Sequence, residues 1–161
     1  MGNSCHCGGD QCSILKLMLY LEIAGKGHRR VCKQVVTWFK DTYLPRHHIS
    51  LTVLNRGLLR EGVHGWCSAT DKPSRPRDFL IEVHNRLGVD EYVHVLCHEL
   101  WHMFQHVKGT LREKGAKQYW KGVDHSETEY ENQPWEIEAR LMESLLYEDF
   151  LIYLDKSQNT Q

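Results

Sequence analysis

Apolar positions along the chain change period twice, and the changes mark out the elements. Ile14, Leu15, Met18, Leu19 and Leu21 cluster at spacings that suit a short helix over 14–23, which Gly25 and Gly27 then break. Val31, Val35, Val36, Phe39 and Tyr43 form one stripe of a second helix from about 29 to 43, with Pro45 just past its end. The spacing then shortens into β-like runs at 49–54, 63–68 and 79–84, separated by Asn55-Arg56-Gly57 and by a proline-bearing stretch. In the last run Phe79, Ile81 and Val83 alternate with Leu80, Glu82 and His84, which suits a half-buried edge strand.

Helical spacing returns over 90–107, where Val93, Leu96, Leu100, Phe104 and Val107 share a stripe, Asp90 is placed to cap the start and Gly109 to end it. The stretch after Gly109 is irregular. A final helix is expected from Pro134 to Leu154, burying Ile137, Leu141 and Leu145 with Met142, Leu146 and Phe150. The expected fold is therefore α+β: helices packed on a small three-stranded sheet. One domain would span 14–155, with tails at 1–13 and 156–161.

Charge narrows the partners. Twenty Lys and Arg balance 21 Asp and Glu, so no long-range field draws the whole chain to nucleic acid or anionic lipid. Lys26 to Arg30 and Lys72 to Arg77 are basic, but short basic stretches are ordinarily solvated loops. No apolar run is long enough for a bilayer, and the N-terminal pattern lacks a secretory signal, so a cytoplasmic location is expected, the host cytoplasm if the gene is carried by a phage. The six cysteines are then read as thiols. Cys5, His6, Cys7 and Cys12 do not have a standard structural zinc spacing.

The chemistry lies on the 90–107 helix. His98-Glu99-Leu100-Trp101-His102 places two imidazoles four residues apart, about 6 Å along the axis and ~40° around it, so both can reach one ion. Glu99 sits ~100° from His98 and is free to take a proton from a water on the metal. His94 and His106 extend the ladder, but its ends are too far apart for four histidines to share an ion, and these two are read as ordinary helix residues. Trp101 faces away from the ligands, toward the core. A third ligand is needed; Glu136 at the start of the last helix is the first candidate and Glu138 the second. Tyr130, His125 and Arg140 are candidate donors to a developing oxyanion, with Tyr130 put first.

This constellation resembles the gluzincin metallopeptidases, in particular very small bacterial and phage-encoded putative peptidases of the ImmA and IrrE type. The resemblance covers roughly residues 28 to 154. It rests on His98-Glu99-Leu100-Trp101-His102, on Glu136-Ile137-Glu138-Ala139, and on the order of elements; Arg140 stands where the family carries Asp or Asn. It implies Zn²⁺ held by His98, His102 and Glu136, Glu99 as general base in peptide hydrolysis, and a protein or peptide substrate paired with the 79–83 strand. A domain this small suggests a narrow substrate. Two rivals are a binding module that keeps the fold without cutting, and a closed structural zinc site.

Overall fold

The computed structural model describes residues 19–159, so the 1–13 tail, its Cys5-His6-Cys7 and Cys12, the first part of the expected 14–23 helix and the last two residues lie outside the described residues. Among the described residues three α-helices and two sheets follow in chain order. Strand β1 is Leu19–Gly25, helix α1 is Arg29–Tyr43, and strands β2, β3 and β4 are Ile49–Arg56, Gly65–Ala69 and Asp78–His84. Helix α2 is Val89–Lys108; strands β5, β6 and β7 are Leu111–Lys114, Lys117–Trp120 and Val123–Asp124; helix α3 is Pro134–Gln158. The fold is α+β.

The main sheet has four strands in the order β1-β2-β4-β3, not three. Residues 19–25 form a parallel edge strand where a helix was expected. Leu19, Leu21 and Ile23 are partly buried, while Tyr20 and Glu22 are exposed, an alternation of period two that the apolar cluster preceding it obscured. Strand β4 is central, bonded in parallel to β2 and antiparallel to β3, which corrects its reading as an edge. Both edges of β4 are consequently paired, and β3 and β1 are the edge strands of this sheet among the described residues.

Leu51, Val53, Phe79, Ile81 and Val83 point to one face of this sheet and are sealed there by α1 and α2. From α1 come Cys32, Val35, Val36, Trp38 and Phe39. Helix α2 is buried nearly all round, because α1, α3 and the sheet surround it. Its start is capped at Gly88; Asp90 lies inside the first turn, where it accepts a hydrogen bond from Tyr147 Oη (3.1 Å), so the expected side-chain cap is absent. Its end is Gly109 in the left-handed conformation, as expected.

Residues 111–124, read as irregular, fold into a second antiparallel sheet, β5-β6-β7. Two-residue turns explain how so short a meander forms: Gly115 (φ 61°) opens the first, and Lys121 with Gly122 (φ 48° and 86°) supplies the paired positive φ that a tight hairpin needs.

The face that α3 buries includes Leu146 and Phe150, as expected, with Met142 packed against the core, but not the other three residues expected there. Ile137, Leu141 and Leu145 are 45%, 67% and 53% exposed, whereas Trp135, Glu136, Ala139, Leu146 and Phe150 are buried. Glu136, Ala139, Glu143, Leu146 and Phe150 follow the three-and-four spacing of a helix seam, so two carboxylates occupy seam positions that a hydrophobicity reading assigns elsewhere. The helix continues through residues 156–158, which were expected in the tail.

Candidate metal centre

Helix α2 carries His98 and His102 on the side that faces the first turn of α3, and the first turn of α3 delivers Glu136. The seam packing of these two helices brings the three together. His98 Nε2 and His102 Nε2 lie 3.1 Å apart; His98 Nε2 is 3.3 Å from Glu136 Oε2, and His102 Nε2 is 3.1 Å from Glu136 Oε1. A tetrahedral ion with bonds of ~2.0–2.1 Å has ligand–ligand edges of ~3.3 Å. One triangular face of such a tetrahedron is therefore already formed, and this group of three could hold a metal ion.

Each imidazole is oriented from behind. His102 Nδ1–H donates to Gln105 Oε1 (2.9 Å), while the Gln105 amide donates to Trp135 O (3.1 Å) and Glu138 Oε2 (2.8 Å). With Nδ1 protonated, the Nε2 lone pair of His102 is directed at the site. His98 Nδ1 meets Glu143 Oε2 at 3.3 Å, which fixes the same tautomer. Glu143 thus makes the carboxylate contact that Arg140 cannot. Glu143 also reaches His94 Nδ1 (3.5 Å), and the His94 ring stacks on Tyr147.

Glu138, the second candidate ligand, is turned away: its Oε2 accepts from the Trp101 indole (2.9 Å) and from Gln105. Trp101 is buried, as expected, and this bond ties it to α3. Of the three candidate donors, only Tyr130 lines the cleft, and its hydroxyl donates to Glu136 Oε2 (2.9 Å). His125 Nδ1 is 3.1 Å from Thr128 Oγ1, and Arg140 pairs with Glu131 (3.2 Å) beneath the Tyr130 ring.

Charges in the triad depend on one another. Burial alone would lower the basicity of His98, but the Glu136 and Glu143 carboxylates outweigh it and push the imidazole up to about 9. Burial would raise Glu136, yet its bonds to His102, His98 and Tyr130 hold it well below the usual carboxylate range. Donor types, spacing and mutual charge all fit a divalent ion.

Glu99 is as deeply buried as Glu136 but lacks its partners. It is 6% exposed, takes no hydrogen bond among the described residues, and burial pushes its carboxyl up to about 7 against the opposing effect of the two histidines. It lies against the backbone of β3 at Gly65, where an added Cβ would sit 2.6 Å from Glu99 Oε1. Gly65 is required there by this close approach.

The triad and Glu99 line a cleft of about 350 Å³. One wall is β3, through Gly65, Trp66 and Cys67; the other is the inner face of the β5–β6 hairpin, through Leu111, Glu113 and Gln118; buried His106 lines it too. The sequence reading missed these walls and treated His106 as an ordinary helix residue. The two-residue glycine turns were the available signal for the hairpin. No family model, curated protein or solved structure matches the chain. No helix among the described residues is long and apolar enough to cross a membrane.

Proposed function

We propose that this protein is a zinc-dependent peptidase of minimal gluzincin type, cutting a narrow range of protein or peptide substrates in the cytoplasm. The observation that carries the reading is the convergence of His98 Nε2, His102 Nε2 and a Glu136 carboxylate at 3.1–3.3 Å, with the unpaired Glu99 carboxyl beside them in the same cleft.

His98, His102 and Glu136 would hold the ion. Two neutral imidazoles and one carboxylate leave a coordination position open, which argues against a closed structural site and favours zinc among the divalent ions. When bound, zinc supplies Lewis acidity, acidifying water and polarising a carbonyl. Glu99, held near neutrality, is suited to accept a proton from attacking water and return it to the leaving amine. Tyr130 braces Glu136 through its hydroxyl and is the nearest candidate to donate to a developing oxyanion.

The substrate strand is reassigned. Strand β4 is saturated on both sides, so an extended peptide would add to the free edge of β3, which borders the cleft. Specificity would then come from side chains that reach the β5–β6 wall.

A second reading is a metal-holding binding module. It is favoured by two features: the Tyr130 hydroxyl is engaged with Glu136, and among the described residues no Arg or Lys lines the cleft to stabilise negative charge. Zinc content and cleavage of a peptide library, by native protein beside Glu99→Gln, decide between the two. Zinc retained by both with cleavage only by the native protein supports the peptidase; zinc retained with no cleavage by either supports the module.

A further inference from the structure

The β5–β6 hairpin sorts its charges by face. Along β5, Leu111 and Glu113 point into the cleft, while Arg112 and Lys114 point outward; the Arg112 guanidinium donates to Gly109 O and the Lys114 ammonium lies over the Tyr119 ring. Glu113 pairs in register with Gln118, which also faces the cleft, and Lys117 beside it is turned out to Asp124. Every cation of this hairpin is turned away from the cleft, and its one acid, Glu113, is exposed on the side that borders it.

The Glu113 carboxylate takes no hydrogen bond or ion pair among the described residues. Its field nonetheless crosses the cleft: after burial and Glu99, it is the next influence raising the Cys67 thiol on the opposite wall, and it opposes the burial that lowers His106 on the floor. Within the cleft, Glu99 is kept from ionising by burial, which pushes its carboxyl up to about 7. His98, His102 and Glu136 are mutually paired, whereas among the described residues no Lys or Arg lines the cleft to pair with Glu113. Exposed at the mouth of the cleft, the Glu113 carboxylate is open to a cation that a ligand brings, and the acidic rim favours cations over anions there.

We propose that the cleft recognises a basic side chain of an extended peptide, Lys or Arg, whose charge pairs with Glu113 and Gln118 while its methylene stem lies along Leu111 and Trp66. The apolar stem and charged tip of such a residue match a wall that is apolar at Leu111 and acidic at its rim. This names a substrate class and rests on reading the cleft as a peptide site.

The test measures binding separately from cleavage. Fluorescein-labelled decapeptides carrying Lys, Arg, norleucine or Glu at each position in turn are titrated by anisotropy into zinc-loaded Glu99→Gln protein, with and without Glu113→Gln. At one register position Lys or Arg should tighten binding at least tenfold over norleucine, Glu should weaken it, and Glu113→Gln should bring Lys within twofold of norleucine. Glu113→Lys should reverse the order. Equal affinities, a basic preference that survives Glu113→Gln, or no binding by any peptide would overturn the proposal. Native zinc-loaded protein incubated with the bound peptides reports on catalysis alone: intact peptides refute the peptidase reading and leave the basic preference standing.

Discussion

Glu143 Oε2 stands 3.3 Å from His98 Nδ1, seven residues and two helical turns beyond the Glu136 that faces the other nitrogen of the same ring. One helix therefore supplies a carboxylate to both edges of one imidazole. Carboxylates behind a ligand histidine fix its tautomer and raise its basicity, and their loss typically costs about ten- to a hundredfold in metal affinity. Glu143→Gln should weaken zinc binding by that factor in competition with a chromophoric chelator, while Arg140→Asp should change it by less than about threefold. Equal affinities for native protein and Glu143→Gln would show that the contact is incidental.

Gly65 lets the Glu99 carboxylate lie against β3. In Gly65→Ala the new Cβ would meet Glu99 Oε1 at 2.6 Å and Val95 Cγ1 at 2.7 Å, so both must move. Overpacking of this kind costs about 1–3 kcal/mol. A lower Tm and at least a tenfold loss of kcat, with zinc content unchanged, are the expected results. Full activity in the alanine variant would mean that Glu99 has more freedom than its contacts with β3 indicate.

Protons and the metal compete for the same groups. In metal-free protein Glu99 is pushed up to about 7, chiefly by burial, and His98 to about 9 by Glu136 and Glu143 against burial. Both bind their proton more tightly folded than unfolded. The stability they contribute is complete below the unfolded values of about 4.3 and 6.5, and is lost as pH rises through the folded ones. Glu136, held low, acts in the opposite sense and loses its contribution as pH falls. Metal-free protein should therefore melt highest near pH 5 and progressively lower toward pH 9, and saturating zinc should flatten the decline. A Tm that climbs between pH 6 and 9 without metal would contradict this ordering.

Helix α3 offers a direct test of which face is buried. Leu146 is fully buried and Leu141 is 67% exposed. Leu146→Ala should cost about 2–5 kcal/mol in urea unfolding, and Leu141→Ala less than about 0.5 kcal/mol. Comparable losses at the two positions would place the seam elsewhere.

That face also shows where sequence reading stops. His98 and His102 were legible because helical spacing alone sets their separation, and Glu136 because it opens a helix after a distinctive Pro134-Trp135. The seam of α3 was legible only at Leu146 and Phe150, because Glu136 and Glu143 occupy two of its other positions while Ile137, Leu141 and Leu145 sit on the outer face. Strand β3 could not be placed at the edge from its own residues, since strand order is fixed by pairing between distant segments. Gln105 and Glu138 read as ordinary polar residues until the packing of α2 on α3 joins them behind His102. The hairpin that forms the second wall was local and its glycine turns were visible, but its short strands carry few apolar residues to announce them.

The central claim is that His98, His102 and Glu136 bind one zinc ion. Crystals of zinc-loaded native protein, measured on both sides of the zinc absorption edge, test it most directly. The expected result is a single strong anomalous peak within about 2.0–2.2 Å of His98 Nε2, His102 Nε2 and a Glu136 carboxylate oxygen. A peak held by other residues, or none between these three in protein saturated with zinc, would contradict it.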